Sequence, residues 1–186
     1  MGINHVSCPF VILFNLMTTE WGYLWHFNFL QNLILYFGFF LLVKEMLLLG
    51  GFSKALTSLI SLSTTWIFFL NPMVMAHTSK WYMDYLFTGL LLIALFCLIR
   101  AVRVRQNFYF LGFVTLFLAA MSLRYNGTIL LPCLFGGICL YNQFHLQLTP
   151  KQISAVFFVL LGTYLGIKSA AFAFLDQTSS SYLVII

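Results

Sequence analysis

The chain is short of charge. Of its 186 residues only 9 are Lys or Arg and 4 are Asp or Glu, which makes 7% charged with a formal net charge of +5. A soluble globular domain carries roughly a quarter charged residues. So few charges cannot furnish a water-facing surface for a 21.4 kDa globule. The shortage excludes a cytosolic enzyme, a secreted domain and a disordered tail. Cysteine is scarce too: Cys8, Cys97, Cys133 and Cys139 form no CxxC pair and join no His/Cys cluster, which argues against a zinc site or a disulfide framework. No P-loop, GxGxxG, GxSxG, HExxH or EF-hand pattern occurs. The basic residues are too few and dispersed for a nucleic-acid-binding stripe, so nucleic acid is not an expected partner. No internal repeat is visible, so the inverted-repeat logic of secondary transporters has no footing.

What the chain does have is hydrocarbon. Hydrophobic residues make up 62%, aromatics 19%, and the mean hydropathy is +0.98. These residues fall in continuous runs rather than alternating ones, which excludes β-barrel strands. A helix crosses the roughly 30 Å hydrocarbon layer with about 20 apolar residues, and in lipid its backbone satisfies its own hydrogen bonds. The sequence therefore predicts an all-α, polytopic transmembrane helical bundle of about five to six spans, with the lipid bilayer as its first partner. The runs are Trp25–Val43, stopped by Lys44-Glu45; Ala55–Ala76; Tyr82–Ile99, stopped by Arg100; Phe108–Leu123, stopped by Arg124; the short Gly127–Tyr141; and Ile153–Leu175. Residues 1–20 read as an interfacial or re-entrant segment, because Cys8–Met17 is too short to span and lacks the flanks of a signal peptide. Residues 21–176 form the bundle and 177–186 an outer-side end. Both ends of the chain look like cuts through a larger protein.

Charge asymmetry sets an orientation. If crossings alternate, Lys44, Lys54, Arg100, Arg103, Arg105 and Lys151 share one side, and only Lys80, Arg124 and Lys168 fall on the other. The positive-inside rule makes the Arg100–Arg105 loop cytoplasmic, in a plasma (bacterial inner) membrane. Retention explains those arginines without chemistry. It does not explain the mixed set on the outer side, where Lys80, Asp84, Arg124, Lys168 and Asp176 gather with Glu20, His26, His77 and Asn126, while Glu45 is the one acid of the basic side.

Ionisable groups near spans are costly and are functional candidates by default. Lys80 and Asp84 stand at i and i+4 and share a helix face. The plainer reading is an ion pair at a helix start, where an acid suits the dipole. The functional reading turns the pair inward, the carboxylate meeting a metal or a substrate hydroxyl and the ammonium a phosphate. Arg124 precedes the turn-prone Asn126-Gly127 and could fork onto a phosphate or merely anchor the interface. Asn126-Gly127-Thr128 also fits the glycosylation sequon. Lys168 lies deeper; its stem could snorkel outward. Gly162 and Gly166 form a small-xxx-small pattern that favours close helix packing.

In order, the chain shows a span, Asn71-Pro72-Met73, then Lys80, Asp84 and Phe87 opening the next span, a basic loop, Leu123-Arg124-Tyr125-Asn126-Gly127, and Pro132. Over about residues 25–135 this resembles the middle of bacterial polytopic glycosyltransferases of the type C fold, the group related to protein O-mannosyltransferases and lipid A aminoarabinose transferases. The resemblance implies sugar transfer from a polyprenyl-phosphate donor to a lipid or protein acceptor at the outer face. It implies Lys80 and Arg124 as binders of the donor phosphate, with Lys168 a further cation available at that level, Asp84 as the catalytic acid–base group or the ligand of a divalent metal, and Asn126 in support. The family's principal acid sits in a large first outer loop that has no counterpart here, and Glu20 is the only acid before the first span. The chain then reads as a fragment of such an enzyme, inactive alone if that acid is indispensable. The competing expectations are a small transporter or flippase component, and a non-catalytic subunit that joins a membrane protein partner through its glycine-bearing spans.

Overall fold

The computed structural model describes residues 22–70, 83–123 and 127–182, with side chains for 29–70, 85–123 and 127–170. Six α-helices follow one another with no strand among the described residues: α1 Gly22–Leu49, α2 Lys54–Leu70, α3 Met83–Val104, α4 Asn107–Leu123, α5 Leu131–Tyr141 and α6 Pro150–Tyr182. A 3₁₀ turn, Gly127–Leu130, leads into α5, and a π turn, Asn142–Leu146, leads out of it. The all-α bundle is as expected. The count of full-length spans is lower: four segments, Phe29–Leu49, Tyr85–Val104, Gly127–Leu146 and Pro150–Ala170, are long and apolar enough to cross a bilayer. Helices α2 and α4 are described over 17 residues each, about 25 Å of rise, short of the roughly 30 Å hydrocarbon layer. Residues 1–20 lie outside the described residues, and α6 stays helical as far as Tyr182.

Two expected stops do not stop their helices. α1 passes Lys44-Glu45 to Leu49, and α3 passes Arg100 to Val104. The reason is that Glu45 is paired with Arg100 and Arg103 across the two helices instead of reaching for water, as the contacts below show. α1 ends where Gly50 and Gly51 can close its last turn. Gly51 sits at φ 81°, and the amides of Gly50, Gly51 and Phe52 donate back to Met46, Leu48 and Leu47. Ser53 then opens α2, its Oγ accepting from the Leu56 amide at 3.4 Å.

The bundle is built outward from α1 and α3, which pack along most of their length. They run parallel, with an offset that stays near 55 residues: Ile34 and Leu35 meet Gly89, Gly38 meets Leu92 and Ile93, and Glu45 meets Arg100. Gly38 and Gly89 make this possible. A Cβ on Gly38 would lie 2.8 Å from the Gly89 carbonyl oxygen, and one on Gly89 would lie 2.9 Å from the Leu35 nitrogen. In lipid, association rests on such close approach rather than on water expulsion.

α2 covers the far side of α1. Its buried face is the polar stripe Thr57, Ser61, Thr65, followed by Phe69. Each hydroxyl donates to a carbonyl of its own helix, Thr57 to Lys54, Ser61 to Thr57 and Thr65 to Ser61, so the stripe needs no partner and leaves a slim surface against α1. α4 packs on the other face of α3, and the apolar core gathers there: Ala94, Cys97, Phe113, Phe117, Met121, Leu134 and Tyr164 among others.

α6 is attached through one stripe, Ile153, Phe157, Leu160 and Tyr164. Gly162 and Gly166 lie off that stripe, with nothing within 4 Å of an added Cβ. The close packing expected of them within the chain falls instead to Gly38 and Gly89. The exterior carries large exposed apolar side chains such as Phe37, Trp66, Ile67, Phe108 and Val159. Spanning helices with such an exterior make this an integral, multi-pass membrane protein.

Candidate functional site

The two ends of the bundle differ in kind. At one end Glu45, at the close of α1, is 1% exposed and accepts from Arg103 Nε at 2.6 Å and Arg100 Nη1 at 3.4 Å, both near the close of α3. His145 Nε2 donates to the Val102 carbonyl at 2.9 Å, and Tyr141 OH donates to Asn107 Oδ1 at 2.7 Å. These contacts bring together the ends of α1, α3 and α5 and the start of α4. Lys44, Lys54, Arg100, Arg103, Arg105 and Lys151, six of the nine basic residues, therefore share this end. For these six residues the grouping that alternate crossings predict is present in the fold.

The Glu45 cluster went unrecognised in the sequence, where the arginines looked like mere topogenic charges. A carboxylate buried in a membrane bundle needs paired charge. Arg100 and Arg103, 55 and 58 residues away, provide it. Arg100 is also held between rings, its guanidinium carbon 5.0 Å from the Tyr109 centroid and 5.7 Å from that of Phe96. The legible signal was that Glu45 is the one acid on a side rich in cations.

The opposite end is where α2 closes and α3 opens. α2 is described up to Leu70, α3 begins at Met83, α4 is described up to Leu123 and the 3₁₀ segment begins at Gly127. Lys80, Arg124 and Asn126 belong to the chain joining these elements and lie outside the described residues, as do Glu20 and His77. Asp84 is the second residue of α3; its side chain, like those of His26 and Asp176, is outside the described ones. The α1–α3 offset sets the Asp84 backbone level with Phe29.

Lys168 is fully placed. It stands about 27 Å along α6, level with the last turn of α4. Its ammonium lies 5.8 Å from the ring centroid of Tyr164, one turn back toward the basic end and itself buried. The amine thus folds back over a core-facing ring rather than extending along the helix away from it.

One further polar side chain stands at the level of Asp84. Gln31 on α1 is 3% exposed, and its Oε1 is buried without a hydrogen-bond partner. The next residue, Asn32, is half-buried. An amide oxygen sealed from water and unpaired costs about 1–3 kcal/mol. Sequence reading passed over Gln31 because it carries no charge; its signal was a primary amide inside an otherwise apolar run.

Between α1 and α2 lies an apolar cleft of about 490 Å³ lined by Tyr36, Phe37, Phe40, Trp66 and Phe69 among others; the one hydroxyl of α2 there, that of Thr65, is committed to Ser61. Among the described residues no three His, Cys, Asp or Glu side chains come together as a metal-holding group. Comparison with known proteins adds no relative: no family model, curated protein or solved structure matches this chain.

Proposed function

We propose that this membrane protein takes part in moving a sugar from a polyprenyl-phosphate donor to a lipid or protein acceptor, at the end of the bundle opposite the Glu45 cluster. The observation that carries the reading is the unpaired, buried amide oxygen of Gln31 at the level of Asp84. An orphan polar group inside a bilayer-spanning bundle is retained against a stability cost, and a ligand with hydroxyl groups relieves that cost. The resemblance in the Pro72, Lys80, Asp84, Arg124 and Asn126 series supports it, as does the level of Lys168 along α6.

In this scheme Lys80, Arg124 and Lys168 stabilise the negative charge of the departing polyprenyl phosphate. Asp84 takes the proton of the acceptor hydroxyl as the glycosidic bond forms. Gln31 hydrogen-bonds a sugar hydroxyl, with Asn126 in support. The donor's chain lies in the bilayer, which keeps its phosphate at headgroup depth beside these cations.

The test is transfer of labelled sugar from a polyprenyl-phosphate donor by membranes containing the chain. Asp84→Asn lowers the rate about 100-fold or more, while Arg105→Ala, at the other end, leaves it unchanged. If unaltered membranes transfer nothing, with and without a co-expressed membrane partner, the reading fails and a non-catalytic membrane subunit takes its place.

A further inference from the structure

We infer that the Glu45–Arg100–Arg103 cluster binds the phosphodiester of an anionic glycerophospholipid. The site is at the opposite end from the proposed transfer chemistry and does not depend on it. Two guanidinium groups face one carboxylate, which leaves one positive charge uncompensated. The imbalance extends to hydrogen bonds. Each guanidinium offers five N–H donors. Glu45 takes one from each, and Arg100 Nε is buried with no acceptor at all. Arg103 bonds Glu45 through Nε, and among the described residues no acceptor meets its two terminal amino groups. The side chains of Arg103 and Arg100 remain 32% and 34% exposed.

A fork fixed through Nε, with its terminal amines open, is the geometry that grips a phosphate. Glu45 and the rings of Phe96 and Tyr109 hold the guanidiniums in place, so little rotamer entropy is left to lose on binding.

A phosphodiester brings a single negative charge and two free oxygens, which matches the deficit. The surroundings choose between lipid classes. Lys44, Lys54 and Lys151 lie at the same end and disfavour a headgroup that carries its own ammonium. The exposed apolar side chains of Met46, which follows Glu45, of Leu49, one helical turn on from it, and of Phe108, which precedes Tyr109, offer acyl chains a surface that a free phosphate would leave bare. Basic pockets between membrane helices are suited to such headgroups.

The experiment uses the full chain purified in uncharged detergent micelles and follows its thermal unfolding midpoint. Phosphatidylglycerol raises the midpoint in a saturable way, as a ligand of the folded state must. Phosphatidylcholine and inorganic phosphate at the same concentration do not. Arg103→Lys keeps the charge and the Glu45 pair but loses the fork, and weakens the apparent affinity about tenfold. Arg105→Ala changes it less than twofold. Equal stabilisation by phosphatidylcholine, or by inorganic phosphate alone, overturns the proposal. So does an Arg105→Ala loss as large as that of Arg103→Lys, because a diffuse surface field then explains the binding. If Arg103→Lys does not fold, the lipid selectivity of the unaltered chain decides between these outcomes by itself.

Discussion

Glu45 and Arg103 are 58 residues apart in sequence and meet at 2.6 Å, at the closing turns of two parallel helices. The pair fixes more than a local contact. It sets α1 and α3 in register, lets both helices continue past charges that would otherwise mark their ends, and defines one end of the bundle as the basic one.

The cluster predicts unequal stability effects. Glu45 is almost fully buried, whereas each arginine keeps about a third of its side chain exposed. Glu45→Gln leaves the arginines access to water and costs about 1 kcal/mol. The double variant Arg100→Gln, Arg103→Gln strands a buried carboxylate and costs about 3–5 kcal/mol. Adding Glu45→Gln to that double variant recovers most of the loss, a non-additivity expected of groups in contact. Denaturation midpoints in micelles give all three values.

The glycines divide by position. Gly89→Ala puts a Cβ 2.9 Å from the Leu35 backbone nitrogen, which cannot swing aside, and forces α1 and α3 apart. The expected cost is about 1–3 kcal/mol. Gly162→Ala and Gly166→Ala enter open space and are neutral or stabilise by up to about 1 kcal/mol through helix propensity. Unfolding of the four single variants, Gly38→Ala included, separates the two classes.

Much of this architecture was legible in advance. The apolar runs of Trp25–Val43 and Tyr82–Ile99 located α1 and α3, and cation counting grouped Lys44 with Arg100–Arg105. Helix ends were harder, because a charge reads as a stop only when it must reach water, and Glu45 does not. Gly162 and Gly166 had the packing pattern, but which glycine a neighbouring helix meets depends on tertiary register, and Gly38 and Gly89 had no short motif to betray them. At the candidate site Lys168 could be followed into the fold. Gln31 was added by burial, a property no single residue type announces. Lys80, Arg124, Asn126 and the Asp84 side chain lie outside the described residues.

Gln31 offers a separation of stability from function. Gln31→Leu replaces an amide whose buried oxygen is unpaired with an apolar side chain of similar size and stabilises the fold by about 1 kcal/mol. In the transfer assay the same variant is slower, because a hydrogen bond to the sugar is gone. A side chain kept for packing alone would show neither the gain in stability nor the loss in transfer.

The two-ended arrangement has a direct measurement in cysteine accessibility. Gly127 cannot carry the probe, since a side chain there runs into the Met121 carbonyl, but the neighbouring Thr128 is exposed, and so is Ser53 at the basic end. With the native cysteines replaced by serine, Thr128→Cys is predicted to react with an impermeant thiol reagent added outside intact cells, and Ser53→Cys only after permeabilisation. Labelling of both from one side, or the reverse pattern, contradicts the account, because the basic cluster and the acid-bearing end would not face the compartments that the proposed transfer requires.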